Sequence, residues 1–230
     1  MKTIGLLGGM SWESTALYYN QINKEIKKQL GGLHSAKVVI YSVDFDEIEK
    51  LQHENKWDET AKILSNAAKN IQNAGADFLL ICTNTMHKVA PSIQKSIDIP
   101  ILHIANATGE ELQKNSIKKI GLLGTAFTMK QDFYKNTIMN NFDIEVIVPN
   151  EEDIKIVHKI IYEELCLGII NESSKKEYLR IVDSLSNKGA EGIILGCTEI
   201  GMLVSQKDTS TKLFDTTYIH AIKAVKEALK

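Results

Sequence analysis

Apolar positions along this chain fall into two alternating kinds of run. Short, nearly unbroken runs occur at Ile4 to Leu7, Val38 to Tyr41, Phe78 to Ile81, Ile120 to Leu123 and Ile193 to Leu195. Runs of this length with no polar alternation predict strands buried on both faces, as in a parallel sheet. Between them, apolar residues return at helical spacing. Trp57, Ala61, Leu64, Ala68 and Ile71 share one helix face, and Gly75 stops that helix. In the same way Ser11 caps a helix that begins near Trp12-Glu13 and ends at Gly31-Gly32.

Continued to the end, the pattern predicts a loop or short helix at 44–55 carrying Gln52 and a helix at 86–96 broken near Pro91. It predicts a short strand at 101–104, a helix at 105–114, a strand at 143–148, helices at 151–167 and 173–187, a short strand at 212–215 and a last helix at 218–229. Strands alternating with helices argue for an α/β fold.

The chain also repeats itself. Gly75-Ala76-Asp77 and an apolar run lead to Cys82-Thr83-Asn84-Thr85; Gly189-Ala190-Glu191 and a like run lead to Gly196-Cys197-Thr198-Glu199, at an offset of 114. That offset carries Thr83 onto Cys197 and Cys82 onto Gly196. Independently, Ile4-Gly5-Leu6-Leu7-Gly8 recurs as Ile120-Gly121-Leu122-Leu123-Gly124 at an offset of 116. Two matches at nearly one offset predict two similar doubly wound parallel-sheet lobes related by a pseudo-dyad, with the site in the cleft between them. The expected bounds are 1–97 plus 211–230 for the lobe carrying Thr83 and 98–210 for the lobe carrying Cys197.

Composition narrows the function. A net charge of −2 with scattered lysines argues against a nucleic-acid partner. No segment reaches the length of a membrane span. Cys82, Cys166 and Cys197 are an odd set at unrelated spacings, which argues against a disulfide framework or a zinc site and for a reduced, cytoplasmic protein. Arg180 is the only arginine, so an anion site would rest on backbone amides, hydroxyls and lysine. The Gly8-Gly9-Met10-Ser11 turn offers such amides, and Thr125 stands in the equivalent turn of the second half. No metal is expected.

Cys197 and Thr83 at equivalent strand ends could face one substrate from two sides, which is what a two-base racemase needs: one group removes the Cα proton and the other returns one on the opposite face. A thiol, with a reference pKa of about 8.5, could be brought into use by nearby donors, and no cofactor is then required. Cys82, one residue before Thr83, would point to the packing side of the strand. Asn84, Thr85 and Thr198 could donate to substrate carboxylates or simply cap turns.

The opening Ile4-Gly5-Leu6-Leu7-Gly8-Gly9-Met10, the Gly196-Cys197-Thr198-Glu199 segment and its partner at 83–85 resemble the cofactor-independent aspartate/glutamate racemases over essentially the whole chain. In that family both strand ends carry cysteine, and here Thr83 replaces the first. Thr83 and Gln52 are similar to the L-aspartate/glutamate-specific subgroup. The resemblance implies an amino-acid substrate with carboxylates, Cys197 as thiol base for the L-enantiomer, Thr83 on the opposite face, and a homodimer. It implies substrate contacts from Met10, Ser11, Gln52, Asn84, Thr85, Thr125, Thr198 and Glu199. A single-cysteine decarboxylase or isomerase of the same superfamily, or a non-catalytic two-lobed carboxylate binder, is the alternative.

Overall fold

β1 (Ile4–Gly8) is the middle strand of the first sheet and is buried along its whole length. In the computed structural model, which describes all 230 residues, it is followed by α1 (Trp12–Leu30), β2 (Val38–Ser42), α2 (Phe45–His53), α3 (Trp57–Asn73) and β3 (Phe78–Ile81). A 3-10 turn at Thr85–Val89 and the short α4 (Ala90–Gln94) come next. β1 pairs in parallel with β2 on one side and β3 on the other, giving the order β2-β1-β3.

Alternate residues of these strands serve two cores. Leu7, Leu79 and Ile81 pack with Ile48 of α2 and with Leu64, Ala68 and Ile71 of α3. Ile4, Leu6, Phe78, Leu80 and Cys82 pack instead with Tyr18, Ile22 and Ile26 of α1 and with Ala221, Ala224 and Val225 near the C-terminus. Both faces of β1 and β3 are covered, and this is why they read as unbroken apolar runs. β2 departs from that expectation: it is an edge strand, and Ile40 and Tyr41 are exposed.

The second set of elements is α5 (Ile104–Lys114), β4 (Lys119–Gly124), α6 (Ala126–Lys130), α7 (Asp132–Phe142), β5 (Glu145–Ile147) and α8 (Glu151–Glu163). A 3-10 turn at Leu165–Leu167 precedes α9 (Glu172–Asn187), β6 (Ile193–Gly196), α10 (Ile200–Leu203), β7 (Leu213–Asp215) and α11 (Thr216–Ala228). Its parallel sheet has the order β5-β4-β6-β7, with β4 in the place of β1 and β6 in the place of β3. The two registers are equivalent, and the sequence offsets differ by two because the chain between the paired strands is two residues shorter in the second half. Gly5 faces Leu79 in the first sheet while Gly121 faces Ile193 in the second, so the second pair lies two residues closer in sequence.

The chain divides into two compact units, Met1–Ile104 with His220–Lys230, and Ala105–Ile219. The expected bounds move at both crossings. Residues 98–104 stay with the first unit because Leu79 bonds on both sides of Ile101, its N–H to Pro100 O and its carbonyl to Leu102 N. Residues 211–219 stay with the second because β7 pairs with β6.

α6, α7 and α10 stand where no element was expected, and three expected elements take another form. The strand at 101–104 is a single parallel bridge, Leu79 to Ile101: Pro100 has no N–H to give, and α5 already begins at Ile104. The helix at 86–96 starts as a 3-10 turn, and Pro91 sits in the first turn of α4, where a missing N–H costs nothing. The helix expected to reach 167 ends at Glu163, and a 3-10 turn carries the chain to Gly168 at φ +71°.

Candidate active site

In the first unit the expected site residues gather at the carboxyl edge of the sheet, where α/β folds place their ligands. The turn after β1 passes so close to β2 that a Cβ on Gly9, at φ +88°, would lie 2.2 Å from Val43 O. Thr15 ties this turn down: its Oγ1 accepts from Gly9 N at 2.8 Å and donates to Ser11 O at 3.0 Å. Ser11 caps α1 by accepting from Ser14 N at 3.3 Å. The Gly9 amide, expected to be open to an anion, is therefore already engaged inside the turn. Met10 and Ser11 are buried, as is Gln52 in α2, 1% exposed although its helix is polar. Ser14 Oγ donates to Cys82 O at 2.9 Å and so joins the start of α1 to the end of β3.

In the second unit Thr125 follows β4 and caps α6, accepting from Thr128 N at 3.2 Å. Cys197, Thr198 and Glu199 follow β6. The strand can end this way only because residue 196 is glycine: a Cβ there would stand 2.8 Å from Leu123 O. The Cys197 thiol donates to Glu199 Oε2 at 2.9 Å, and Thr198 Oγ1 donates to the same oxygen at 2.7 Å. Glu199 is 2% exposed.

These neighbours push the thiol the opposite way from the expectation. Burial, and then the negative charge of Glu199, disfavour the thiolate, so the Cys197 pKa is raised well above its ordinary value. Cys166, in the 3-10 turn after α8, adds to the push. Thr198 spends its hydroxyl on the carboxylate, and the one donor that favours the thiolate, the Glu199 backbone amide, is outweighed. Glu199 and Thr198, expected to hold substrate, thus contact Cys197 and one another in this structure.

Thr83 and Cys197 share more than alignment. In both five-residue stretches, 81–85 and 195–199, the middle residue is part-exposed and the four around it are buried. Cys82 is fully buried in the core under α1 and α11, and burial alone raises its thiol pKa far out of the working range. Asn84 and Thr85 are buried beside Thr83.

Two features escaped the sequence reading. The Glu199–thiol contact was available in the spacing, since a turn directly after a strand can fold residue i+2 back onto residue i. The other is a group of three histidines behind Thr83, His87 and His220 buried and His103 half-buried, at positions too far apart in sequence to suggest one another, although His87 alone reads from the sequence as a residue that could cap its helix or orient Thr83. Arg180 pairs with Asp153 and Glu177, so it is already engaged by carboxylates. No helix is long and apolar enough to cross a membrane.

Known proteins resemble this chain along its full length. A crystal structure from Yersinia pestis, provisionally described as an Asp/Glu racemase, is 53% identical and superposes with a TM-score of 0.93, each chain covered completely. An aspartate racemase homologue from Pyrococcus horikoshii OT3 is 37% identical, with a TM-score of 0.85 and complete coverage of both chains. The broad specificity amino-acid racemase RacX of Bacillus subtilis (strain 168) is 22% identical over 226 residues, 93% of this chain and 92% of that protein. The sequence profile of the Asp/Glu/hydantoin racemase family matches residues 7–224, and the chain belongs to that family.

Proposed function

We propose that this racemase acts on aspartate, glutamate or both by removing and returning the Cα proton without a cofactor. Cys197 is the base on the L side and Thr83 serves the opposite face. The observation that carries the reading is the thiol hydrogen bond from Cys197 to the buried carboxylate of Glu199 at 2.9 Å. A thiol held protonated cannot take a proton from carbon. A carboxylate already accepting its hydrogen can relieve it: the thiol proton passes to Glu199, leaving a thiolate and a neutral acid. The thiolate then takes the Cα proton, becoming a thiol again and leaving a carbanion. Thr83 gives its hydroxyl proton to the other face of that carbanion and takes another from water, and Glu199 returns its proton to solvent, which restores all three groups. Thr83 and Cys197 suit these paired roles by their matching strand-end positions and exposure. Met10, Ser11, Gln52, Asn84, Thr85, Thr125 and Thr198 are proposed to hold the substrate.

The test is incubation with each enantiomer of aspartate and glutamate in D2O, following Cα deuterium and optical rotation separately. Deuterium uptake with inversion supports the proposal; binding without uptake overturns it in favour of a carboxylate binder. A homodimer and a cytoplasmic setting accompany this reading, and light scattering on the purified protein checks the first.

A further inference from the structure

The first unit buries two imidazoles and a phenol, with a third imidazole half-buried against them, behind the end of β3. His87 Nδ1 lies 2.8 Å from the Thr83 carbonyl, and its Nε2 lies 3.1 Å from the backbone nitrogen of Ile104. An amide N–H can only donate and a carbonyl can only accept, so the lone pair is on Nε2 and the proton on Nδ1. The same logic fixes His220. Its Nε2 donates to Leu102 O at 2.7 Å, and its Nδ1 accepts from Tyr18 Oη at 2.8 Å. The His103 ring packs edge-on against His87 at 4.4 Å. Residues 102–104 are thereby held twice, by His87 reaching to Thr83 and by His220 reaching to α1.

Thr83 needs such a tether. The last sheet bond of its strand is Cys82 N to Leu7 O, so its own carbonyl lies past the ladder. His87 supplies the bond that the sheet no longer does. Burial first, and then the neighbouring imidazoles, push the His87 pKa well below its ordinary value, which keeps this ring neutral.

We propose that His87 is a positioning residue for Thr83, holding the Thr83 backbone to Ile104 and so setting where the Thr83 hydroxyl stands. The assignment rests on the reading of Thr83 as the group on the second face. It touches only one of the two proton transfers. Loss of the tether should spare removal of the L-substrate proton by Cys197 and impair its return on the other face.

The experiment compares His87→Ala, His87→Asn and His87→Gln with wild type in D2O, measuring deuterium uptake from the L-enantiomer and inversion separately. An Asn amide can replace Nδ1 and keep the bond to Thr83; a Gln carbonyl reaches the Nε2 position and keeps only Ile104. In Ala and Gln, inversion should fall about 10- to 100-fold, the scale of a misplacement near 1 Å, while uptake stays within about threefold. Asn should restore the ratio. A purely structural role would lower both rates together and the melting temperature with them, and that result, or Asn behaving as Ala, overturns the proposal. Wild type without any uptake would instead defeat the proposed function, and this assignment with it. Should the variants fail to fold, 15N spectra of histidine-labelled wild type decide: a neutral Nδ1–H tautomer is expected for His87, and an Nε2–H tautomer or a charged ring overturns it.

Discussion

The thiol of Cys197 and the carboxylate of Glu199 share a proton site: Sγ lies 2.9 Å from Oε2, on a glutamate with almost no exposure to water. The contact makes the thiol harder to ionise at rest and gives its proton somewhere to go during turnover. These two consequences can be separated by one substitution.

Glu199→Gln keeps the size and an acceptor oxygen but removes the negative charge. The charge raises the Cys197 pKa, so its removal should lower that pKa and make the thiol more reactive toward iodoacetamide at a given pH. Catalysis should move the other way, with Cα exchange falling by about 100-fold or more as the proton acceptor is lost. Alkylation rates against pH, measured in a Cys166→Ala background, together with deuterium uptake, check both. A fall in both would show that Glu199 only holds the turn together.

The three cysteines should sort by position. Cys197→Ala is expected to abolish exchange, to below about a thousandth of wild type. Cys82→Ala removes one sulfur from a core with no route to the solvent, so it should cost stability, about 1 kcal/mol, and leave most of the activity. Cys166→Ala should also leave most of it. Urea melts and initial rates on the three variants decide, and loss of turnover in Cys82→Ala with its retention in Cys197→Ala would reverse the assignment.

How much of this was legible in the sequence follows from how local each feature is. The two sheets were, because unbroken apolar runs mark the strands and the repeat marks two like halves; the strand order and the exposed face of β2 were not. The cause of the unequal offsets was not: equivalent residues pair in both sheets, Gly5 on Leu79 and Gly121 on Ile193, and the second half is two residues shorter between them. The part-exposure of Thr83 and Cys197 follows from strand-end position. The direction of the Cys197 pKa was not legible, since it depends on which way Glu199 folds after the strand. The histidine group was not either: it forms only when the C-terminal helix returns to the first unit and brings His220 beside Tyr18.

That group predicts how the first unit responds to acid. Burial holds the His220 pKa down to about 3 and the His103 pKa to about 4, with His87 also well below 6.5. These rings take up protons on unfolding, so their contribution is intact above about pH 7 and is lost as pH falls below 6.5 toward 4, by about 1.4 kcal/mol per pH unit for each ring. Glu227, held down to about 2 by Lys2 and Lys230, and Asp208, held down to about 2 by Lys175, add their own loss only at lower pH. Asp215, raised by burial, works in the opposite direction there. Urea unfolding from pH 7.5 to 4.5 should show a steep loss that begins near 6.5, with two to three protons bound on unfolding near pH 5. A flat profile in that window would mean that the rings are already charged in the folded protein.

The last expectation concerns direction. Cys197 faces a carboxylate that can take its proton, whereas Thr83 carries a hydroxyl, which gives up its proton far less readily than a thiol. Removal of the Cα proton from an L-substrate should therefore be fast, and removal from a D-substrate slow. Thermodynamics limits how this can appear. Two enantiomers have equal free energies, so kcat/KM for complete inversion must be the same in both directions, and no residue can change that ratio. The asymmetry must show instead as exchange with retention. An L-substrate in D2O should take up deuterium well before it inverts, because the carbanion made by Cys197 is returned to the same face more often than Thr83 can serve the other. A D-substrate should show slow uptake tied closely to inversion. Thr83→Cys restores a second thiol and should raise D-substrate uptake and the inversion rate of both enantiomers, leaving uptake from the L-substrate nearly unchanged. Deuterium uptake and optical rotation, recorded from initial rates on each enantiomer in both proteins, test this directly. Equal D-substrate uptake in wild type and Thr83→Cys would mean that the hydroxyl is not the slow side, and that the second proton comes from another group.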